Sequence, residues 1–112
     1  MKFEELCDAR YSLRKFDSRP VEAEKLQKVL EAGRKAPTAY NLQPQRFFVM
    51  QSEEALAKAD ACTACHFHPP VVIVAAYDPE IAWKREEDGK NHGEIDVTLA
   101  VSQMMLQAAE LG

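Results

Sequence analysis

A chain of 112 residues has room for one domain, whose buried faces must be shared among neighbouring elements. Apolar residues make up 46% and charged residues 29%, an ordinary soluble globular composition that excludes a disordered or collagen-like chain. The net charge of −4, from 14 basic and 18 acidic residues, excludes the broad positive field that nucleic acid or an anionic membrane would need, so any anion site must be local.

In chain order, Phe3, Leu6 and Cys7 recur at helical spacing, which predicts a short helix ending near Arg10, with Cys7 on its apolar face as a core residue. Tyr11 to Asp17 reads as extended. A second helix is expected from Glu22 to about Lys35, with Leu26, Val29, Leu30 and Gly33 on one face, and Pro37 ends it. Residues 36–46 (APTAYNLQPQR) have two prolines and no periodicity, so they form a loop leading into a strand from Phe47 to Met50. A short helix follows at about Glu53 to Asp60.

Val71 to Ala76 (VVIVAA) is apolar on both alternating faces, the mark of a strand covered above and below. Trp83 to Asn91 is polar and is expected to be an exposed loop. From Glu94 onward Val97, Val101, Met104, Ala108 and Leu111 recur at spacings of four and three, and Ile95, Leu99, Met105 and Leu106 widen the stripe, so the helix is expected to be mostly buried. Two strands and three or four helices do not cover a fully apolar central strand, and two-stranded sheets are marginal. That shortfall points to a missing C-terminal portion or a partner chain.

No apolar run approaches the length of a membrane span, and the opening MKFEELCDAR alternates charges where a signal peptide would be apolar. With three cysteines, an odd count, a reducing cytoplasmic setting is the expectation.

Two segments carry candidate chemistry. In an extended backbone alternate side chains point the same way, so Arg10, Ser12 and Arg14 would converge, two guanidinium forks flanking a hydroxyl in a cradle for phosphate oxygens. Tyr11 and Leu13 alternate with them. Short Arg/Ser alternations are common on surfaces, so solvated charge is the favoured reading of this segment alone. In the second segment Pro37 and Pro44 stiffen a stretch that exposes the Thr38 hydroxyl and the Asn41 and Gln43 amides. An amide offers donor and acceptor together, which suits the edge of a heterocycle showing both C=O and N–H. An ordinary capped helix end and loop is the plainer alternative.

Taken in order, RYSLRKF, RPVEAEKLQKVLEAGRKAPTAYNLQPQRFFV, PPVVIVAAYD and DVTLAVSQMMLQAAELG resemble the nitroreductase family along the whole chain. The segment AWKREEDGKNHGEIDV resembles a subgroup of short, single-domain members. The resemblance implies one α+β domain over residues 1–112, a three-layer fold with a mainly antiparallel sheet flanked by helices and incomplete at the C-terminus. It implies an oxidoreductase that passes hydride from NAD(P)H through FMN to a nitroaromatic, a quinone or a similar small-molecule acceptor.

The same resemblance implies that Arg10, with Tyr11 and Ser12 beside it, holds the phosphate and ribityl end of FMN, and that Arg14 reaches the pyrimidine side of the ring. A fixed cation there stabilises the negative charge of the reduced flavin. Pro37, Thr38 and Ala39 match a Pro-Ser-Ala stretch that touches flavin across a homodimer interface. Asn41 would bond the ring edge and Gln43 would support the loop. No catalytic side chain is required. Thr38 replaces the usual serine and keeps the hydroxyl, and Gln45 stands where an aromatic is usual, which leaves the packing behind the loop open. The chain ends at a Leu-Gly pair that family members continue past into further strands and an arm around the partner.

A rival reading rests on Cys62, Cys65 and His66 (CTACH), which match a haem-attachment pattern, with His68 as a further ligand of haem or metal. Small residues in a partly buried turn are the plainer account of these positions. A third reading is an inactive, truncated domain. Lys84 and Arg85 could attract a nicotinamide phosphate, although solvated loop charges explain them more simply.

Overall fold

The computed structural model describes all 112 residues. Helix α1 covers Phe3–Ala9, α2 Ala23–Arg34, strand β1 Gln45–Met50, helix α3 Glu53–Asp60, strand β2 Val72–Tyr77 and helix α4 Gly93–Leu111. A single 3-10 turn at Ala39–Asn41 lies between α2 and β1. The segment between α1 and α2 has no regular structure and no partner strand.

Local chemistry accounts for the helix ends. Ser52 caps α3 by accepting from the Ala55 amide at 3.1 Å, and Asn91 Oδ1 accepts from the Gly93 amide at 2.8 Å where α4 begins. Along α2, Leu26, Val29 and Leu30 are half-buried and Gly33 is buried, the face expected from the spacing. That face meets α4, and Gln103 Nε2 ties the two helices together by donating to the Ala32 carbonyl at 2.9 Å. Gly33 permits the contact. A Cβ there would lie 2.6 Å from Met104 Sδ and 2.8 Å from Phe47 Cζ, so α2, α4 and β1 meet over a bare backbone. Gly93 works the same way at the other end of α4, where a Cβ would fall on the Tyr77 ring.

The strands pair antiparallel, Gln45 opposite Tyr77 and Met50 opposite Val72. One more bond, from the Asp78 amide to the Pro44 carbonyl at 2.9 Å, extends the ladder toward the loop. Pro44 and Gln45 are both buried, which fixes where the loop ends.

Several expectations are corrected. The sheet has two strands, and its open face leaves Phe48 53% and Val74 41% exposed, so β2 is not covered on both sides. An apolar run reports what a surface prefers to touch, and only α4 and its neighbours supply that touch here. The buried line of α4 runs through Asp96, Ala100 and Met104, whereas Ala108, Ile95, Leu99 and Met105 are exposed, so the helix is half covered rather than mostly buried. Cys7 is exposed, because α1 buries none of its residues. Strand β1 starts two residues earlier than expected, at Gln45, because the pairing with Tyr77 extends it. Trp83 is half-buried instead of free in solvent, and a bridge between Lys84 and Asn91 closes the loop it begins. No helix is long and apolar enough to cross a membrane.

Candidate functional site

Arg10 ends α1 with φ −69° and ψ 128°, the extended geometry from which alternate side chains share a direction. Tyr11, Ser12, Leu13 and Arg14 follow, all exposed. Arg19, Arg34 and Arg85 each pair with a carboxylate, and Arg46 donates to the Gln43 and Gln45 carbonyls at 2.9 Å. Arg10 and Arg14 pair with no carboxylate, and the bond from Arg14 to the Ser12 carbonyl, at 3.4 Å, is long. Two uncompensated guanidiniums therefore flank a free hydroxyl, the composition an oxyanion would meet.

The loop after α2 has a more specific shape. Pro37 is exposed, and Thr38 and Ala39 are half-buried. Tyr40 and Asn41 both have φ of 54° and Gln43 has φ of 55°. Positive φ at both central residues of the Ala39 to Leu42 turn has the sign of a mirror-image type I′ turn, which asparagine tolerates and tyrosine resists. Each non-glycine residue so held costs about 1–3 kcal/mol, which surrounding contacts must offset.

Inside the loop, Thr38 Oγ1 accepts from the Gln43 amide at 3.1 Å, and Gln43 Nε2 donates to Asn41 Oδ1 at 3.0 Å. These bonds leave the Asn41 Nδ2 donor and the Gln43 Oε1 acceptor without protein partners on exposed side chains. One donor and one acceptor side by side suit the edge of a planar ring bearing C=O and N–H. Gln43 bonds within the loop through both its backbone amide and its side chain, and its Oε1 remains an acceptor of its own.

Three further residues hold this shape, Asp96 and Trp83 with no part in the expected site and Gln45 in the place of an aromatic. Asp96, 2% exposed at the start of α4, accepts through Oδ1 from the Ala39 amide at 3.1 Å, while its Oδ2 is buried without a partner. Gln45 is buried, and its Nε2 donates to the Gly33 carbonyl at 3.2 Å near the end of α2. An amide thus braces the position where an aromatic was expected. Trp83 lies 5.5 Å from the Tyr40 ring and is itself met edge-on by His92 at 4.5 Å, so the exposed Tyr40 has one supported flank. Asp96 breaks an apolar pattern at a helix start, the one signal that could have singled it out.

No hydrogen bond or ion pair joins Arg10, Ser12 or Arg14 to the 37–43 loop. A surface hollow of about 380 Å³ includes Gln43, Gln45 and Arg46 but neither arginine of the cradle. The two segments thus stand as separate pieces, with no direct bond between them.

The rival cluster is looser. Cys62, Cys65, His66 and His68 are all exposed, so the partly buried turn expected there is corrected, since residues 61–68 sit beyond the end of α3 with nothing over them. His66 Nδ1 lies 2.9 Å and His68 Nδ1 4.0 Å from Asp60 Oδ1, and Cys62 Sγ faces the Lys58 carbonyl. No three His, Cys, Asp or Glu side chains converge as metal ligands would. Arg85 is pinned by Asp88, whose carboxyl it holds below the usual aspartate range, so it is not a free cation for a second phosphate.

Known proteins are similar to this chain in sequence and fold. A nitroreductase family protein from Clostridium difficile 630 is 44% identical, with a TM-score of 0.95 over 100% of this chain and 64% of its own. An FMN-dependent nitroreductase from Clostridium difficile R20291 is 33% identical with a TM-score of 0.76, over 96% of this chain and 60% of its own. A Streptococcus pyogenes serotype M6 protein that carries the name of an NAD(P)H nitroreductase is 42% identical over 59 residues, 52% of this chain and 30% of that protein. The chain thus spans less than two thirds of these relatives. Residues 8–69, more than half of the sequence, match the Nitroreductase family, and they include both the Arg10–Arg14 segment and the 37–43 loop: the chain belongs to that family.

Proposed function

We propose that this chain supplies the FMN-holding half of an NAD(P)H oxidoreductase that reduces nitroaromatics, quinones or related acceptors. The observation that carries the reading is the 38–43 loop, whose left-handed backbone presents Asn41 Nδ2 and Gln43 Oε1 without protein partners. The donor and acceptor set fits an isoalloxazine edge, and the uncompensated Arg10 and Arg14 fit the phosphate and the pyrimidine side of FMN.

When bound, FMN supplies the two-electron chemistry. The protein's residues bind and orient. Arg10 and Ser12 hold the phosphate end, and Arg14 places a fixed positive charge where reduction leaves negative charge. Asn41 and Gln43 would hold the ring edge, the first as donor and the second as acceptor. Pro37, Thr38 and Ala39 contribute the loop wall facing a second copy of the chain, and a homodimer with FMN between the copies belongs to this proposal. The similarity to an FMN-dependent nitroreductase supports the cofactor, and three free, exposed cysteines suit a reducing cytoplasm.

The test is a flavin titration of the purified chain followed by fluorescence quenching. Saturable quenching is expected, and Arg14→Ala should weaken binding by about 1–3 kcal/mol, the range for a charge-assisted contact. A wild-type chain that leaves flavin fluorescence unchanged would overturn the proposal.

A further inference from the structure

We infer that Asp96 is the positioning residue of the flavin loop: from the first turn of α4, its carboxylate holds the Ala39 amide and so sets the left-handed turn that presents Asn41 and Gln43. The inference rests on the flavin reading for its function, and on geometry alone for its mechanism. A carboxylate that is 98% buried by its 2% exposure is costly to keep in an otherwise apolar helix face, and packing gives no reason for it. Its one protein partner lies 57 residues away, in the loop. No other side chain of α4 donates to or accepts from that loop; the Tyr40–Trp83 ring contact supports the turn from one flank, and Gln45 braces the loop's far end at the Gly33 carbonyl.

The position of the bond matters as much as its existence. Ala39 immediately precedes the two residues with φ of 54°, so fixing its N–H fixes the plane from which the turn starts. The Thr38 hydroxyl then meets the Gln43 amide and closes the turn from the far side at 3.1 Å. Without the carboxylate, Ala39 loses its fixed direction, Tyr40 and Asn41 relax toward ordinary negative φ, and the donor and acceptor separate. Asp96 touches no part of the bound ring in this account. It acts through the backbone.

The experiment compares the wild-type chain with Asp96→Ala and Asp96→Asn by flavin titration and by amide hydrogen exchange. Asparagine retains an oxygen that accepts from the Ala39 amide, and alanine does not. Expected results are a flavin dissociation constant raised about tenfold or more in Asp96→Ala and a value within about threefold of wild type in Asp96→Asn. In wild type the Ala39 amide should be protected, and in Asp96→Ala it should exchange about tenfold faster or more while Ala100 and Met104 stay protected. Unchanged flavin affinity in Asp96→Ala, or no rescue in Asp96→Asn, would sink the inference. An Ala39 amide exchanging at the free-peptide rate in wild type would do so as well, without any variant having to fold. If the wild-type chain binds no flavin, the functional proposal fails, while the exchange comparison still decides whether Asp96 shapes the loop.

Discussion

Replacing Gly33 by alanine sets two opposed effects against each other. In a helix interior alanine is favoured over glycine by about 1 kcal/mol, so an exposed glycine replaced in this way would stabilise the chain. Here the added methyl would stand 2.6 Å from Met104 Sδ and 2.8 and 2.9 Å from the Phe47 ring. Carbon atoms need about 3.5–4.0 Å, so two neighbours must each yield by close to an ångström. Met104 can shift by rotating its thioether, but Phe47 is anchored in β1 opposite Ala75.

Overpacking of this kind costs about 1–3 kcal/mol, and with both neighbours engaged the upper part of that range applies. The net expectation is a loss of about 1–2 kcal/mol. For a domain of this size that corresponds to a fall in Tm of roughly 4–10 °C. Thermal unfolding followed by circular dichroism gives the value directly. The companion variant Phe47→Leu should be destabilising alone and should recover about 1 kcal/mol of coupling when combined with Gly33→Ala. A Gly33→Ala chain as stable as wild type, or more so, would refute the close junction of α2, α4 and β1.

Two further outcomes follow from charge and exposure. Arg34 hydrogen-bonds Glu31 and holds its carboxyl below the usual glutamate range. A depressed folded value means that the pair's small contribution is present above the unfolded pKa and is lost as pH falls through the folded one. An NMR titration of the Glu31 carboxyl carbon should therefore show a low midpoint that rises in Arg34→Gln, and an unmoved midpoint would remove Arg34 as its cause. Cys7, Cys62 and Cys65 are free and exposed, so a thiol reagent such as DTNB should count three equivalents without denaturant. A thiol that reacts only after unfolding would contradict the exposure of that residue.

Regular elements were legible in the sequence because they answer to local rules. Proline and helical periodicity bounded α2, and an apolar run of β-branched residues placed β2 within a residue. Tertiary relations were not legible. An apolar stripe cannot say which of its sides meets a neighbour, so α4 was read as covered where only the line through Asp96, Ala100 and Met104 is. The helical spacing of Phe3, Leu6 and Cys7 is ambiguous in the same way, since it marks an apolar face that α1 leaves largely uncovered. In the candidate site, side-chain chemistry picked out Asn41 and Gln43, but their left-handed backbone was invisible, because Tyr40 gives no hint that it accepts positive φ. Asp96 is not legible because it serves a backbone group far along the chain, and Gln45, although it stands out where an aromatic is usual, gives no sign of its bond across a layer, since a polar residue at a helix start or strand end ordinarily faces water.

The bond from Ala39 to Asp96 also bears on the order of events during folding. Closing the 57-residue separation between them is an entropic step that a local bond, such as that from Gln43 to Thr38 across five residues, does not face. Helix α2 and the hairpin of β1 and β2 can therefore form while the stretch between them still samples ordinary backbone. The stretch is expected to settle into its strained turn once α4 docks and delivers its carboxylate. The turn and the docking of the helix are then expected to form a single cooperative unit, so a kinetic probe at Tyr40 should change with the slowest packing phase and not with the helix-forming one.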